Sequence, residues 1–174
     1  MKLKGLSLIE TLVSIAIISL LIGVMVYIIL FYNKLQRETG FLTTATLDAK
    51  EIGIKIERYM LISKNINIQK RINNGYTYII KCSGDSNNQE SEIWYINNNN
   101  EKYNKVFIYD YVQNPSNPIQ KELSKEIHMV LNDYQNNFPR VIEVSFYVYN
   151  KYAKKYRNID TRILAYYISI IRWK

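Results

Sequence analysis

The chain has 174 residues, a formal net charge of +8, 48% hydrophobic residues and 22% charged ones. That apolar content excludes wholesale disorder, and the length holds one soluble domain plus one membrane segment. One cysteine, Cys82, and one histidine, His128, exclude an internal disulfide and a metal cluster of the zinc-finger type.

The first element is a membrane-length helix. Thr11–Asn33 is a run of 23 residues without a formal charge, dominated by Leu, Ile and Val. As a helix it is about 35 Å long, enough to cross a hydrocarbon core of about 30 Å. Lys2 and Lys4 precede it, which predicts a cytoplasmic N-terminus. A cleavable secretory signal has a shorter apolar core, of about 7–15 residues, and small residues behind it. Here Tyr32-Asn33-Lys34-Leu35 follows instead. Glu10 is the anomaly: a carboxylate at the mouth of a lipid-spanning helix is costly unless it sits at headgroup level or meets a cation.

These residues carry a family resemblance. Lys4-Gly5-Leu6-Ser7-Leu8-Ile9-Glu10-Thr11-Leu12-Val13 resembles the class III signal of type IV prepilins. In that family a short basic leader ends in Gly, and a hydrophobic residue, a Ser or Thr, two aliphatics and a Glu lead into the apolar helix. The resemblance covers about the first 30 residues. It implies cleavage between Gly5 and Leu6 by a prepilin peptidase, and N-methylation of Leu6 by the same enzyme. It also implies an assembly salt bridge between Glu10 and the Leu6 amine of a neighbouring subunit, so that two buried charges compensate each other. Two departures are visible: Leu6 stands where Phe or Met is commoner, and no proline interrupts the apolar run, where Gly23 is the only weak helix former.

Beyond Lys34 the helix becomes amphipathic. Leu42, Ala45, Ala49, Ile52, Ile56 and Tyr59 recur at spacings of three and four, while Lys50, Glu51, Lys55, Glu57 and Arg58 fill the opposite side. That period predicts one face packed on a sheet. Gly40 and Gly53 argue against perfect continuity of the helix.

After Asn65 the pattern turns to β structure. Tyr76–Cys82 and Glu92–Ile96 read as a hairpin, Asn97–Asn100 as a turn, and Lys105–Val112 as a third strand. Asn114-Pro115-Ser116-Asn117-Pro118 reads as loop. Ile127–Leu131 is a short fourth strand and Val141–Tyr149 the clearest one, with Ile142, Val144, Phe146 and Val148 on one face. Arg162–Trp173 is apolar on both faces, as a strand flanked by other strands or by a subunit would be.

The predicted fold is α+β and pilin-like: one long N-terminal helix packed on an antiparallel sheet of about four to six strands. The divisions are a leader over 1–5, a membrane or filament-core helix over 6–33, an amphipathic helix over 34–64, and an extracytoplasmic β-rich domain over 65–174. No catalytic residue, metal site or cofactor is assigned, because the usual nucleotide and zinc-protease motifs are missing from the sequence. His128 reads as a surface residue and Cys82 as a small core residue.

Lys151–Lys174 holds seven basic residues against Asp160 alone. Lys151, Lys154, Lys155 and Arg157, among Tyr147, Tyr149, Tyr152, Tyr156, Tyr166 and Tyr167, are the candidate contacts for DNA or another anionic partner. Ile, Asn, Lys and Tyr together supply 78 residues, so abundant Tyr and Lys is a feature of the whole chain and not of this segment alone.

Two functions follow as expectations. The first is a leader-cleaved pilin subunit, assembled with other pilin subunits by a platform protein and an ATPase. The irregular loops and the closing hydrophobic strand with its Arg resemble minor pilins and pseudopilins of the J/W type, including those of competence systems. The second is a single-pass membrane-anchored module whose outer domain captures DNA or a surface ligand.

Overall fold

The computed structural model describes residues 7–72, 74–84, 89–112, 114–136, 139–152 and 161–172. The chain divides into two compact units, Met1–Phe41 and Leu42–Lys174. Helix α1 runs over Leu8–Ile62. Over residues 8–33 its side chains are exposed, and its most apolar 18-residue stretch has none of its residues buried. This helix is long and apolar enough to cross a membrane.

In the second unit α1 buries Ala45, Ala49, Ile52, Gly53, Ile56 and Met60. The predicted stripe is therefore real, except that Leu42 and Tyr59 at its ends are half-buried and Met60 takes the last core position. Gly53 does not break the helix. A Cβ there would lie 2.1 Å from Cδ1 of Tyr166, so the missing side chain is the space that the tyrosine ring occupies.

Eight strands follow: β1 Asn65–Ile72, β2 Gly75–Ser83, β3 Gln89–Asn98, β4 Tyr103–Asp110, β5 Asn114–Ser124, β6 Ile127–Tyr134, β7 Arg140–Tyr149 and β8 Arg162–Arg172. All neighbours are antiparallel, in one sheet of order β1-β2-β3-β4-β5 and one of order β6-β7-β8. The α+β, pilin-like arrangement is thus present, with the helix packed on antiparallel sheet. The predicted hairpin is β2–β3, in a register that sets Tyr78 opposite Tyr95. In β7, Ile142, Val144, Phe146 and Val148 are all fully buried, as their alternation requires.

Two strands depart from the sequence reading. β1 lies ahead of Tyr76, where no strand is predicted; Ile66, Ile68 and Ile72 alternate along it, but only Ile66 is buried. β5 begins at Asn114, inside the stretch predicted as loop. The β4–β5 ladder passes from Ile108↔Ile119 to Asp110↔Asn114, so Pro115 and Pro118 fall where regular pairing lapses, on an edge strand. β1 and β2 are joined through Asn74, at φ 47°, and Gly75, at φ 141°, where a side chain would collide with the Asn97 carbonyl.

The sheets meet through side chains. Tyr95 of β3 packs edge-on against Phe146 of β7, with ring centroids 6.5 Å apart. The Tyr95 hydroxyl and Asn104 Nδ2 both donate to the Ile127 carbonyl, at 2.7 and 2.6 Å. Arg140 donates to the Ile66 carbonyl at 2.9 Å while it pairs with Asp133, tying β7 to β1.

Candidate functional site

The site nominated by the sequence is the start of α1. Gly5 and Leu6 lie outside the described residues. Ser7 and Glu10 form a reciprocal pair: the Ser7 backbone N–H donates to Glu10 Oε2 at 2.8 Å, and the Glu10 N–H donates to Ser7 Oγ at 3.3 Å. This is a capping box, in which a serine at the helix start and a glutamate three residues on satisfy each other's orphan backbone donors. Glu10 therefore has a local partner before any neighbouring chain is considered. It also lies at the positive end of the helix dipole.

Three hydroxyls of the apolar run, those of Thr11, Ser14 and Ser19, are satisfied within the helix. Thr11 donates to the Leu8 carbonyl, Ser14 to Glu10 and Ser19 to Ile15, each at 2.8 Å. Such back-bonding lets a hydroxyl enter hydrocarbon without an unmet donor.

The basic candidates do not come together as a group among the described residues. Lys151 is 3.9 Å from Glu126 and lies over the Tyr152 ring. Arg162 lies over Tyr147, 5.0 Å from the ring centre. Lys154, Lys155 and Arg157 fall outside the described residues.

Cys82 is buried in β2, as a small core residue, and burial pushes its thiol up. His128 lies in β6 but is half-buried rather than on the surface. Its Nδ1 is 3.3 Å from the Tyr76 hydroxyl and its ring meets Tyr149 edge-on. Burial holds the imidazole pKa below the ordinary 6.5. Its outward position on β6 is covered because the bulky Tyr149 lies beside it.

One feature has no signal in the sequence. At the C-terminal end of α1, Tyr59 donates to Asp110 at 3.0 Å, and two clefts of about 230 Å³ flank that bond. Ser63, Glu90 and Ser91 line the first, and Lys55 and Arg58 the second. Tyr59 and Asp110 are 51 positions apart, so local spacing carries no trace of their meeting. Among the described residues no three His, Cys, Asp or Glu side chains are grouped so as to hold a metal.

No protein-family profile, curated protein or solved structure matches this chain.

Proposed function

We propose that the chain is a minor type IV pilin or pseudopilin, a structural subunit and not an enzyme. In this reading it is cut between Gly5 and Leu6, methylated on Leu6, and assembled into a pilus-like filament or used to start one. The observation that carries the proposal is the prepilin-like sequence Lys4–Val13, whose Leu8–Val13 part opens an exposed apolar helix. The chain sits in the cytoplasmic membrane with its N-terminus inside and its β-rich domain outside, until the helix is drawn into the filament. Its partners are the prepilin peptidase, other pilin subunits along the helix, and indirectly the platform protein and ATPase.

Cleavage exposes a cation at Leu6, four residues before Glu10. The capping bond engages one Glu10 oxygen, Oε2, so the carboxylate keeps acceptor capacity for a neighbour's Leu6 amine while it caps Ser7.

N-terminal sequencing of the mature protein tests the proposal. A chain beginning at Leu6, with a methylated amine, is expected. An intact Met1 would instead support the membrane-anchored binding module.

A further inference from the structure

Hydrogen bonds tie the five-strand sheet to the three-strand sheet at the start of β7 and at the start of β6. These positions lie at opposite ends of the β6–β7 ladder, where Tyr134 faces Val141 and Ile127 faces Val148. At the start of β7, Arg140 donates to the Ile66 carbonyl and pairs with Asp133. Burial acts against that carboxylate, but hydrogen bonds from Arg140 hold it below its ordinary 3.8. The pair therefore stays ionised throughout the range in which an imidazole titrates. At the start of β6 the strand is held by neutral groups instead. Tyr95 and Asn104 donate to the Ile127 carbonyl, and the Tyr76 hydroxyl meets His128 Nδ1 at 3.3 Å.

His128 is the member of that end able to gain a charge near neutral pH. Three tyrosines wall it: Tyr76 from β2, Tyr149, whose ring it meets edge-on at 4.8 Å, and Tyr147, its cross-strand neighbour in β7. Tyr95 stands behind Tyr76, with ring centres 5.9 Å apart. The charges around this wall are mostly positive. Lys70 of β1 lies over Tyr76, Arg162 of β8 lies over Tyr147, and Lys125, three residues before the histidine, donates to the Asn98 carbonyl. Glu126 is the acid beside them, and Ser124 and Lys151 already share it. Burial pushes the Tyr76 phenol up to about 12, so it supplies no phenolate. A neutral ring suits this setting in either tautomer, because the Tyr76 hydroxyl both donates and accepts. An imidazolium ring brings a positive charge into a half-buried seam that is already cationic.

We propose that His128 is an acid-sensitive latch between the two sheets. Neutral, it lets Tyr76 close β2 on the start of β6. Protonated, it loosens that end while the Arg140 end holds, so the seam opens from one side. Burial first, and Lys125 second, hold the imidazole below 6.5 against the weaker pull of Glu126. A group so depressed contributes stability that is complete above about pH 6.5 and is lost as pH falls through the folded value. The latch is independent of the N-terminal helix, so its failure leaves cleavage at Leu6 untouched.

The test uses the full chain in detergent micelles, whose one histidine gives an imidazole NMR signal that titrates alone. Its midpoint is expected below 6.5. Amide hydrogen exchange, corrected for the intrinsic effect of pH, should speed up about threefold or more over Ile127–Met129 between about pH 7.5 and about pH 5.5. Amides around Arg140–Ile142 should change far less. In His128→Gln, which stays neutral and whose folding a thermal melt checks, the protection of Ile127–Met129 should be the same at both pH values. The proposal is overturned if the imidazole titrates at 6.5 or above, or if Ile127–Met129 speeds up equally in His128→Gln. It is also overturned if β6, β7 and β8 speed up together in the natural chain, because that is unfolding and not a latch.

Discussion

A Cβ at Gly53 would lie 2.1 Å from Cδ1 of Tyr166, and that ring is held because its hydroxyl donates to Glu57 at 2.5 Å. The same hydrogen bond, with burial second, pushes the Tyr166 phenol up to about 12. Gly53→Ala would gain about 0.8–1 kcal/mol in helix propensity but cost about 1–3 kcal/mol in overpacking. The expected result is a lower melting temperature in the natural background. In Tyr166→Ala, where the ring is gone, the same change should raise it, and this reversal of sign is what a double-mutant cycle reads. Glu51 gives a pH-dependent counterpart. Hydrogen bonds from Lys121 first and Lys55 second pull its carboxyl from the ordinary 4.5 down to about 2. A carboxylate so depressed contributes stability that is complete above about pH 4.5 and fades as pH falls towards about 2. The side chain is 49% exposed, so solvent screening limits the contribution to about 0.2–1 kcal/mol. Melts over that window should show a shallower acid loss for Glu51→Gln, and for the natural chain at high salt. At Glu10 the capping role and the charge can be separated, because Gln also completes a capping box. Glu10→Gln is expected to keep the helicity of the full chain by circular dichroism yet to fail in filament assembly. Normal assembly would show that the cap alone suffices.

At the scale of the elements, α1 ends without a basic residue in its last turn. Arg172, at the far end of β8, supplies the missing cation by donating through a guanidinium nitrogen to the Met60 carbonyl. A helix terminus is thus satisfied by a residue 112 positions away. Arg172→Ala should lower the unfolding free energy by about 1–3 kcal/mol in denaturant titrations, and Arg172→Lys by less. This arginine was legible as the closing residue of a hydrophobic strand, but its partner was not. The strands divide in the same way. β7 could be read because one face is wholly buried and the other is not, which writes a period of two into the residue types. β1 and β5 are edges: β5 has little apolar signal, while β1 alternates Ile66, Ile68 and Ile72 but buries only Ile66, and the ladder of the adjacent strand makes each of them a strand. The stretch Asn114–Pro118 reads as loop from its two prolines, yet β5 begins at Asn114, with the prolines where the β4–β5 pairing lapses.

For the whole molecule, the exposed apolar face of α1 within Met1–Phe41 predicts retention in membranes. After an alkaline carbonate wash the full chain should stay with the pellet, and replacing Ile17, Leu21 and Ile28 with Lys should release it. Recovery of the natural chain in the wash would contradict the anchor. What the sequence determined by itself is local and periodic. An uncharged run of 23 residues with Glu10 at its mouth, a stripe at helical spacing and strands with one buried face are all written in neighbouring residues. Tertiary structure alone decided the features set by distant meetings: the split into sheets of five and three strands, the seat of Tyr166 on Gly53, the Arg172 cap, and the half-burial of His128. The physical reason is that side-chain periodicity reports which face of an element is buried. It does not report which partner buries it.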